Sequence, residues 1–336
     1  MDSPPGVMLR RAMSSSPSGT QPETGHSLTS RPLAFGVLTF QALAYAELRS
    51  DAEFAEKIGL DTVWLADQAV PDRLPILEAW TALAALAADT SRIRLGTLIT
   101  NVAIRNPMLL ARQALTVDQI SDGRLDVGIG AGYYQDDHRW LGIDYLDAPG
   151  RVQRLTEVAE VLDRGLRGER VSFNGAYVQL DDAPSLVPVQ LPRPPIWIAV
   201  HGAKSLRLAA RLGDGAASVG DEGVGVDQSL TRFRERMKRL DEICVEQGKD
   251  PRGLRRCYLA GFAEEPVFSS AESAADFIGS FAEAGATDFV FGLANHSQPA
   301  FEAGVTSGQM ATREKLERVV ADVVPKFRNE THSGIV

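Results

Sequence analysis

Gly59-Leu60-Asp61-Thr62-Val63-Trp64-Leu65-Ala66-Asp67 reads as a helix-ending glycine, a turn, and a buried strand that finishes on an acid. An apolar run of this length between turn signals suits a strand covered on both faces. The same grammar returns in Gly213-Asp214-Gly215-Ala216-Ala217 and in Gly285-Ala286-Thr287-Asp288-Phe289-Val290. Working outward from these stretches gives candidate strands at Leu33–Phe40, Thr62–Ala66, Arg94–Thr100, Leu125–Gly130, Ile196–Val200, Ala216–Val219, Cys257–Phe262 and Asp288–Gly292. Helical periodicity falls between them, at Tyr45–Ile58, Ile76–Ala88, Pro107–Ile120, Arg151–Leu166, Ala203–Leu212, Gln228–Gln247 and Ala271–Ala284, with a last helix at Thr312–Phe327. Strand–helix units repeated in this way predict a (β/α)8 TIM barrel. A doubly wound sheet is the competing architecture. It would carry a Gly-rich loop after strand one, and Thr39-Phe40-Gln41-Ala42 offers none.

The chain has 336 residues, 44% of them hydrophobic, and a formal net charge of −9. That composition supports a packed core and excludes a disordered chain. The acidic balance argues against a nucleic-acid partner, which would need a basic stripe. Cys244 and Cys257 are the two cysteines, without metal-ligand spacing, so neither a disulfide scaffold nor a metal is expected. No run reaches the length of a membrane span, and no apolar segment follows Arg10 and Arg11 as a secretory signal requires. A cytoplasmic setting is the expectation. Residues 1–30, rich in Ser, Pro, Gly and Thr, are expected to form a disordered extension, and residues 31–330 the barrel domain.

Two segments interrupt the rhythm. Residues 133–195 form a long insertion between strands four and five, holding a helix, a hairpin-like turn at Phe173-Asn174-Gly175-Ala176-Tyr177 and a Pro-rich run. Residues 292–311 follow strand eight. Both leave the C-terminal ends of strands, where barrel active sites lie, so both are lid candidates.

Several constellations sit at that same rim. Gly128-Ile129-Gly130-Ala131-Gly132-Tyr133 either approaches a phosphate or simply lets the barrel close tightly. His201-Gly202-Ala203-Lys204-Ser205 ends strand five and opens a helix, so its N–H groups suit a phosphate; an ordinary first turn is the plainer reading. Asp67-Gln68 and Asn101 end strands two and three and read as site residues or as helix caps. Tyr133, Tyr134, His138 and Trp140 make an aromatic, titratable group after strand four. No metal-binding spacing and no GxSxG elbow is present.

Taken in order, several motifs together resemble the bacterial luciferase-like superfamily of flavin- and deazaflavin-dependent oxidoreductases. They are Ala55–Asp67, Arg92-Ile93-Arg94-Leu95-Gly96-Thr97, Asn106-Pro107, Ser121-Asp122-Gly123-Arg124-Leu125, Gly128–Tyr133, Leu141-Gly142-Ile143, Pro192–Ile198 and Ala209–Gly215. The resemblance runs from about Leu33 to Phe327. It implies a TIM barrel with the cofactor ring at the C-terminal mouth, coenzyme F420 as first choice and FMN as the alternative, and a homodimer. By position it places Asp67, Gln68, Asn101, Ala131, Gly132 and Asp136 against the cofactor. Leu98-Ile99 falls where many members have a non-prolyl cis bulge, and His201, Gly202, Lys204 and Ser205 match the phosphate site.

The departures carry information. Sugar-phosphate dehydrogenases of this kind have His where this chain has Gln68 and Glu where it has Tyr133. Gln has no proton to give, so that activity is not implied. The luciferases place Arg at Ala131, and their phosphate clamp is missing here. Tyr133 is then the expected proton donor by position, with His138 second by its pKa range. The implied function is hydride transfer between reduced F420 and a small organic substrate. The alternatives are an FMN-dependent monooxygenase and, in a different class, a non-redox barrel isomerase or lyase, or a flavin-binding protein without catalysis.

Overall fold

A computed structural model describes residues 32–39, 41, 44–68, 77–220, 224–263, 265–294 and 310–329. The expected N-terminal extension and most of the expected loop after strand eight lie outside the described residues. In chain order the elements are β1 (Ala34–Thr39), α1 (Tyr45–Ile58), β2 (Thr62–Asp67), α2 (Ala79–Asp89), β3 (Arg94–Asn101), α3 (Pro107–Ile120), β4 (Leu125–Gly130), α4 (Gln135–Trp140) and α5 (Ala148–Leu166). There follow β5 (Val171–Asn174), β6 (Gln179–Ala183), β7 (Ile196–Ala199), α6 (Ala203–Leu212), β8 (Gly215–Val219), α7 (Val226–Glu246), β9 (Arg255–Ala260), α8 (Ala271–Glu283), β10 (Asp288–Leu293), α9 (Arg313–Asp322) and α10 (Val324–Asn329). Parallel strands close a barrel in the order β1-β10-β9-β8-β7-β4-β3-β2. This is the (β/α)8 architecture that the alternating sequence predicts.

The recurrent glycine–turn–strand grammar has a common physical use. Asp61 Oδ2 accepts the N–H of Phe35 at 2.7 Å, and Asp214 Oδ2 accepts that of Ile196 at 2.8 Å. Thr287 Oγ1 does the same for Arg256 N at 2.7 Å. Each polar residue stands just before a strand and ties it to the start of an earlier one. Gly59 and Gly285, at φ 87° and 103°, turn the chain into that position. Glu56, in the same motif, accepts the N–H groups of Ser91, Arg92 and Ile93. Burial opposes its ionisation, but these bonds win and hold its carboxyl down at about 2.

Inward side chains fill the lumen in layers. The lowest layer is charged. Arg94 bonds Asp126 at 2.7 Å, and Arg255 pairs with Asp288. Trp197 Nε1 also donates to Asp126, at 3.2 Å, and the Arg255 guanidinium lies 4.9 Å over its ring. Trp197 meets Trp64 edge to face at 5.7 Å. Above the tryptophans the layer turns apolar, with Leu38, Ala66, Leu98, Ala217 and Leu259. A charged floor satisfied by its own counter-charges, under an apolar mouth, avoids the large cost of isolated buried ions.

The wall between β3 and β4 is unusual. The Leu98–Ile99 peptide is cis and non-prolyl, as the resemblance implies. Pairing with β4 shifts register between Gly96 and Thr100. A Cβ on Gly128 would lie 2.0 Å from the Thr97 carbonyl oxygen, and one on Gly130 2.7 Å from Ile99 Cδ1. These two glycines therefore make room for the displaced strand, which is the packing use of the glycine run. A buried relay spans the displacement: Trp80 Nε1 donates to Thr100 Oγ1 (3.1 Å), Thr100 Oγ1 to Thr97 Oγ1 (2.9 Å), and Thr97 Oγ1 to the Gly128 carbonyl (2.9 Å).

Most of the insertion is not a lid. Helix α5 packs between α3 and α6 as the barrel's own fourth helix. It starts at Ala148 rather than Arg151, because Asp147 caps it through the N–H of Gly150. The β5–β6 hairpin lies on its flank, where Glu157 accepts three successive N–H groups, from Ala176, Tyr177 and Val178. The Pro-rich run crosses the opposite end of the barrel, with Gln190 bonded to Asp118 and to the Leu125 carbonyl. Only residues 131–147 remain at the mouth. The C-terminal helix divides into α9 and α10 because Pro325 has no N–H to continue the ladder. Among the described residues no helix is long and apolar enough to cross a membrane.

The relay makes a stability prediction. Thr97→Val keeps the side-chain shape but strands the Gly128 carbonyl and the Thr100 hydroxyl in the core. The expected loss is about 1–3 kcal/mol, read as a lower urea midpoint at unchanged slope. A midpoint equal to the parent's would show that the relay holds nothing.

Candidate active site

The C-terminal ends of β2, β3, β4 and β7 are neighbours in the barrel, and they gather most of the expected site residues into one arc. Leu98 forms part of the apolar floor, and Ile99 packs under Gly130. Gly130 in turn stands 3.5 Å, as a hypothetical Cβ, from Ala199 on β7. Asn101 is buried with its Oδ1 accepting the N–H of Ala103 at 3.0 Å. Its amide presses on Gly132, where a Cβ would lie 2.2 Å from Oδ1. Gly132 has φ 72°, so both the space and the backbone there require glycine. Gln68 and Ala131 are half-buried beside them.

Asp67 is placed differently from the expected cofactor contact. It is buried, and Arg105 bonds both of its oxygens, Nη2 to Oδ1 at 2.9 Å and Nη1 to Oδ2. The same guanidinium reaches Glu78, which caps α2 through the N–H groups of Trp80 and Thr81. Burial pushes the Asp67 carboxyl up, with Arg105 pulling against it. Glu78 is held below its ordinary value: its burial is outweighed by the bonds from Thr81 and Arg105. Asp67 thus ties the end of β2 to the loop before α3 and to the start of α2. Arg105 was not visible as a partner in the sequence, since nothing about Arg-Asn-Pro marks a reach back across β2.

At α6 the first turn carries no acid, and the N–H groups of Ala203, Lys204 and Ser205 have no carbonyl of their own helix to bond. His201, Gly202 and Lys204 are exposed there. A Cβ on Gly202 would meet nothing within 4 Å. This open, donor-rich end fits an anionic group. Ser205 does not join it. Its hydroxyl accepts the N–H groups of His201 and Gly202 at 3.1 and 3.2 Å and donates to the Gly202 carbonyl at 2.9 Å. With both lone pairs and its proton engaged, Ser205 shapes the turn instead of binding a ligand.

The loop leaving β4 separates its candidates. Tyr133 is 69% exposed, with its ring 4.1 Å from that of Tyr134. Asp136 pairs with Arg139 at 3.2 Å on the surface of α4. His138 is fully buried: Nδ1 bonds the Asp144 carbonyl at 3.2 Å, and Nε2 is enclosed without a partner. A proton donor must reach the reacting atom, so the expectation for His138 is corrected. Among the described residues no group of His, Cys, Asp or Glu is arranged to hold a metal ion.

The sequence model of the luciferase-like monooxygenases matches residues 21–333. The chain belongs to the luciferase-like monooxygenase family. As a member it is an enzyme of the oxidoreductase type. It is similar to 5,10-methylenetetrahydromethanopterin reductase of Methanolobus tindarius, 28% identical over 278 residues, 81% of this chain and 78% of that one. It is similar to F420-dependent glucose-6-phosphate dehydrogenase of Microbacterium testaceum, 31% identical over 191 residues, 55% of this chain and 56% of that one. The chain therefore spans little more than half the length of that dehydrogenase. Its fold is that of the coenzyme F420-dependent tetrahydromethanopterin reductase from Methanopyrus kandleri, with TM-score 0.70, 18% identity, and coverage of 88% of this chain and 100% of the other.

Gly202→Val tests the anionic end of α6. The fold survives, because the space is open, at a cost of about 1 kcal/mol for a poorer cap. Affinity for a phosphate-bearing cofactor falls about tenfold or more, about 1.4 kcal/mol. An unchanged dissociation constant in equilibrium dialysis would put the phosphate elsewhere.

Proposed function

We propose that this enzyme transfers a hydride between reduced coenzyme F420 and a small organic substrate. The observation that carries the reading is the apolar mouth lined by Leu98 and Ile99, two strands from the donor-rich end of α6. F420 is also named for two of the relatives reported above. Residues that fit the cofactor are Leu98, Ile99, Asn101, Ala131 and Gly132 for the ring, and Gly202 and Lys204 with the first-turn N–H groups for its phosphate. His201 belongs to the same rim, and Gln68 borders the ring. When bound, the deazaflavin supplies the hydride chemistry that no side chain has.

The chain's own part is to hold, to exclude water and to move a proton. The floor of Leu38, Ala66, Leu98, Ala217 and Leu259 would exclude water beneath a bound cofactor. Gln68 cannot donate a proton, and Asp67 is engaged by Arg105. Tyr133, exposed beside Gly132, is the donor in this reading: its phenol gives a proton to the substrate atom that becomes basic as hydride arrives. A homodimer, as the family resemblance implies, is part of the same proposal.

Two measurements test it. Equilibrium dialysis against F420 and against FMN decides the cofactor: tighter binding of F420 is expected, and preference for FMN would move the enzyme to the monooxygenase alternative. Reduced F420 is then mixed in single turnovers with a panel of aldehydes, enones and imines. Tyr133→Phe should slow reoxidation by about 10²-fold, and His138→Gln, whose ring is buried away from the substrate, should slow it less than Tyr133→Phe does. Parent-like rates in Tyr133→Phe across pH 6–9 would remove Tyr133 as the donor.

A further inference from the structure

Tyr145 is 38% exposed, yet it is held more firmly than a surface tyrosine needs to be. Its ring meets the His138 ring edge to face, with centroids 5.1 Å apart at 85°. Its other contact is the Arg151 guanidinium, 4.5 Å from the ring centre. The same two residues fix the backbone on either side of it. His138 Nδ1 bonds the Asp144 carbonyl at 3.2 Å, and Arg151 Nη1 donates to the Leu146 carbonyl at 2.7 Å. Fixed in this way, Tyr145 donates its hydroxyl to the carbonyl oxygen of Tyr133 at 3.0 Å.

The carbonyl of Tyr133 needs such a partner. Gly132, just before it, has no side chain to limit rotation and sits at φ 72°. The Tyr145 bond narrows the orientations open to the backbone that follows this glycine, and with them the reach of the phenol. Helix α4 returns the chain from Tyr133 to Tyr145, and the Ile143 N–H bonds the His138 carbonyl at 2.8 Å to close that return. The segment is a loop folded onto itself, with one side chain reaching across to its first residue.

We propose that Tyr145 is a positioning residue that sets the orientation of Tyr133 at the mouth, with His138 and Arg151 as its supports. This rests on the reading of Tyr133 as the proton donor and gives the buried His138 a use other than chemistry. Tyr145 touches neither substrate nor cofactor in this assignment. It acts through the backbone of the residue that does.

The test is Tyr145→Phe, which removes one hydroxyl and keeps the ring between its two supports. Hydrogen exchange of the peptide covering residues 131–136 needs neither cofactor nor substrate. It should speed up about fivefold to tenfold in the variant, with exchange in α5 and the thermal midpoint unchanged. In single turnovers with the fastest compound of the panel, Tyr145→Phe should slow reoxidation about tenfold at an unchanged dissociation constant for F420. The Tyr133→Phe, Tyr145→Phe double variant should react like Tyr133→Phe alone, because a positioning residue has nothing left to position. Parent-like exchange in Tyr145→Phe overturns the proposal, and so does a full tenfold loss that persists in the double variant. A slow Tyr133→Phe beside a parent-like Tyr145→Phe removes only the role of Tyr145. A parent-like Tyr133→Phe removes the donor reading and this role together, while leaving the cofactor assignment standing.

Discussion

Three buried hydrogen bonds, from Trp80 through Thr100 and Thr97 to the Gly128 carbonyl, set the geometry on which the mouth is built. β3 leaves ideal register there, and its displaced backbone needs both room and partners. Gly128 and Gly130 supply the room. The two threonines and the tryptophan supply the partners, from a region that water does not reach. The position of Ile99, and through Asn101 that of Gly132, follows from this one stretch of wall. So does the start of the loop that presents Tyr133. The arrangement fits a site in which a flat group is supported from below by backbone and aliphatic carbon, with no charge on the inward faces of that layer.

The barrel separates its duties by end. Charges that stabilise the fold sit at the strands' N-terminal ends, where Arg94, Asp126, Arg255 and Asp288 satisfy one another. At the other end the lumen is apolar, and the described acids there are already engaged, Asp67 by Arg105 and Glu265 by Tyr258 and the Gly261 N–H. Burial pushes Glu265 up, with the bonds from Tyr258 and the Gly261 N–H pulling against it. The mouth is thus left to backbone donors, amides and phenols, with Lys204 and His201 at the start of α6.

The fold was legible because its signals are local. A turn glycine, a polar residue and a continuous apolar run are properties of ten consecutive residues, and Asp61, Asp214 and Thr287 each stand immediately before the strand of such a run. The site was legible only in part. Helix-end physics located the open first turn of α6, and the resemblance located Leu98–Ile99. What could not be read were distances between residues far apart in sequence. Nothing near Asp67 announces Arg105, 38 residues on; for His138 the enclosing Asp144 and Tyr145 are near in sequence, but the fold-back that closes them over it comes from packing and not from spacing. Ser205 shows a subtler limit: its type and position suit a phosphate, but its own turn claims every bond its hydroxyl can make. The insertion reads as a lid from its length alone; its anchors are Glu157, inside it on α5, and Asp118, outside it on α3, and neither bond is marked by spacing.

The polar fasteners before the strands also bear on how such a chain closes. Phe35 to Asp61 spans 26 residues, Ile196 to Asp214 18, and Arg256 to Thr287 31. Each joins strands that form within one or two neighbouring units, so each closes a short loop. The ladder between β1 and β10 is of another kind, pairing Ala34 with Asp288 and drawing together nearly the whole length of the barrel. Chain statistics make a tenfold longer loop costlier to close by about 2 kcal/mol. The circle therefore has one entropic seam, and the aromatic stack of Phe35 on Phe289, 5.8 Å apart across it, lies where the two ends of the sheet must hold each other.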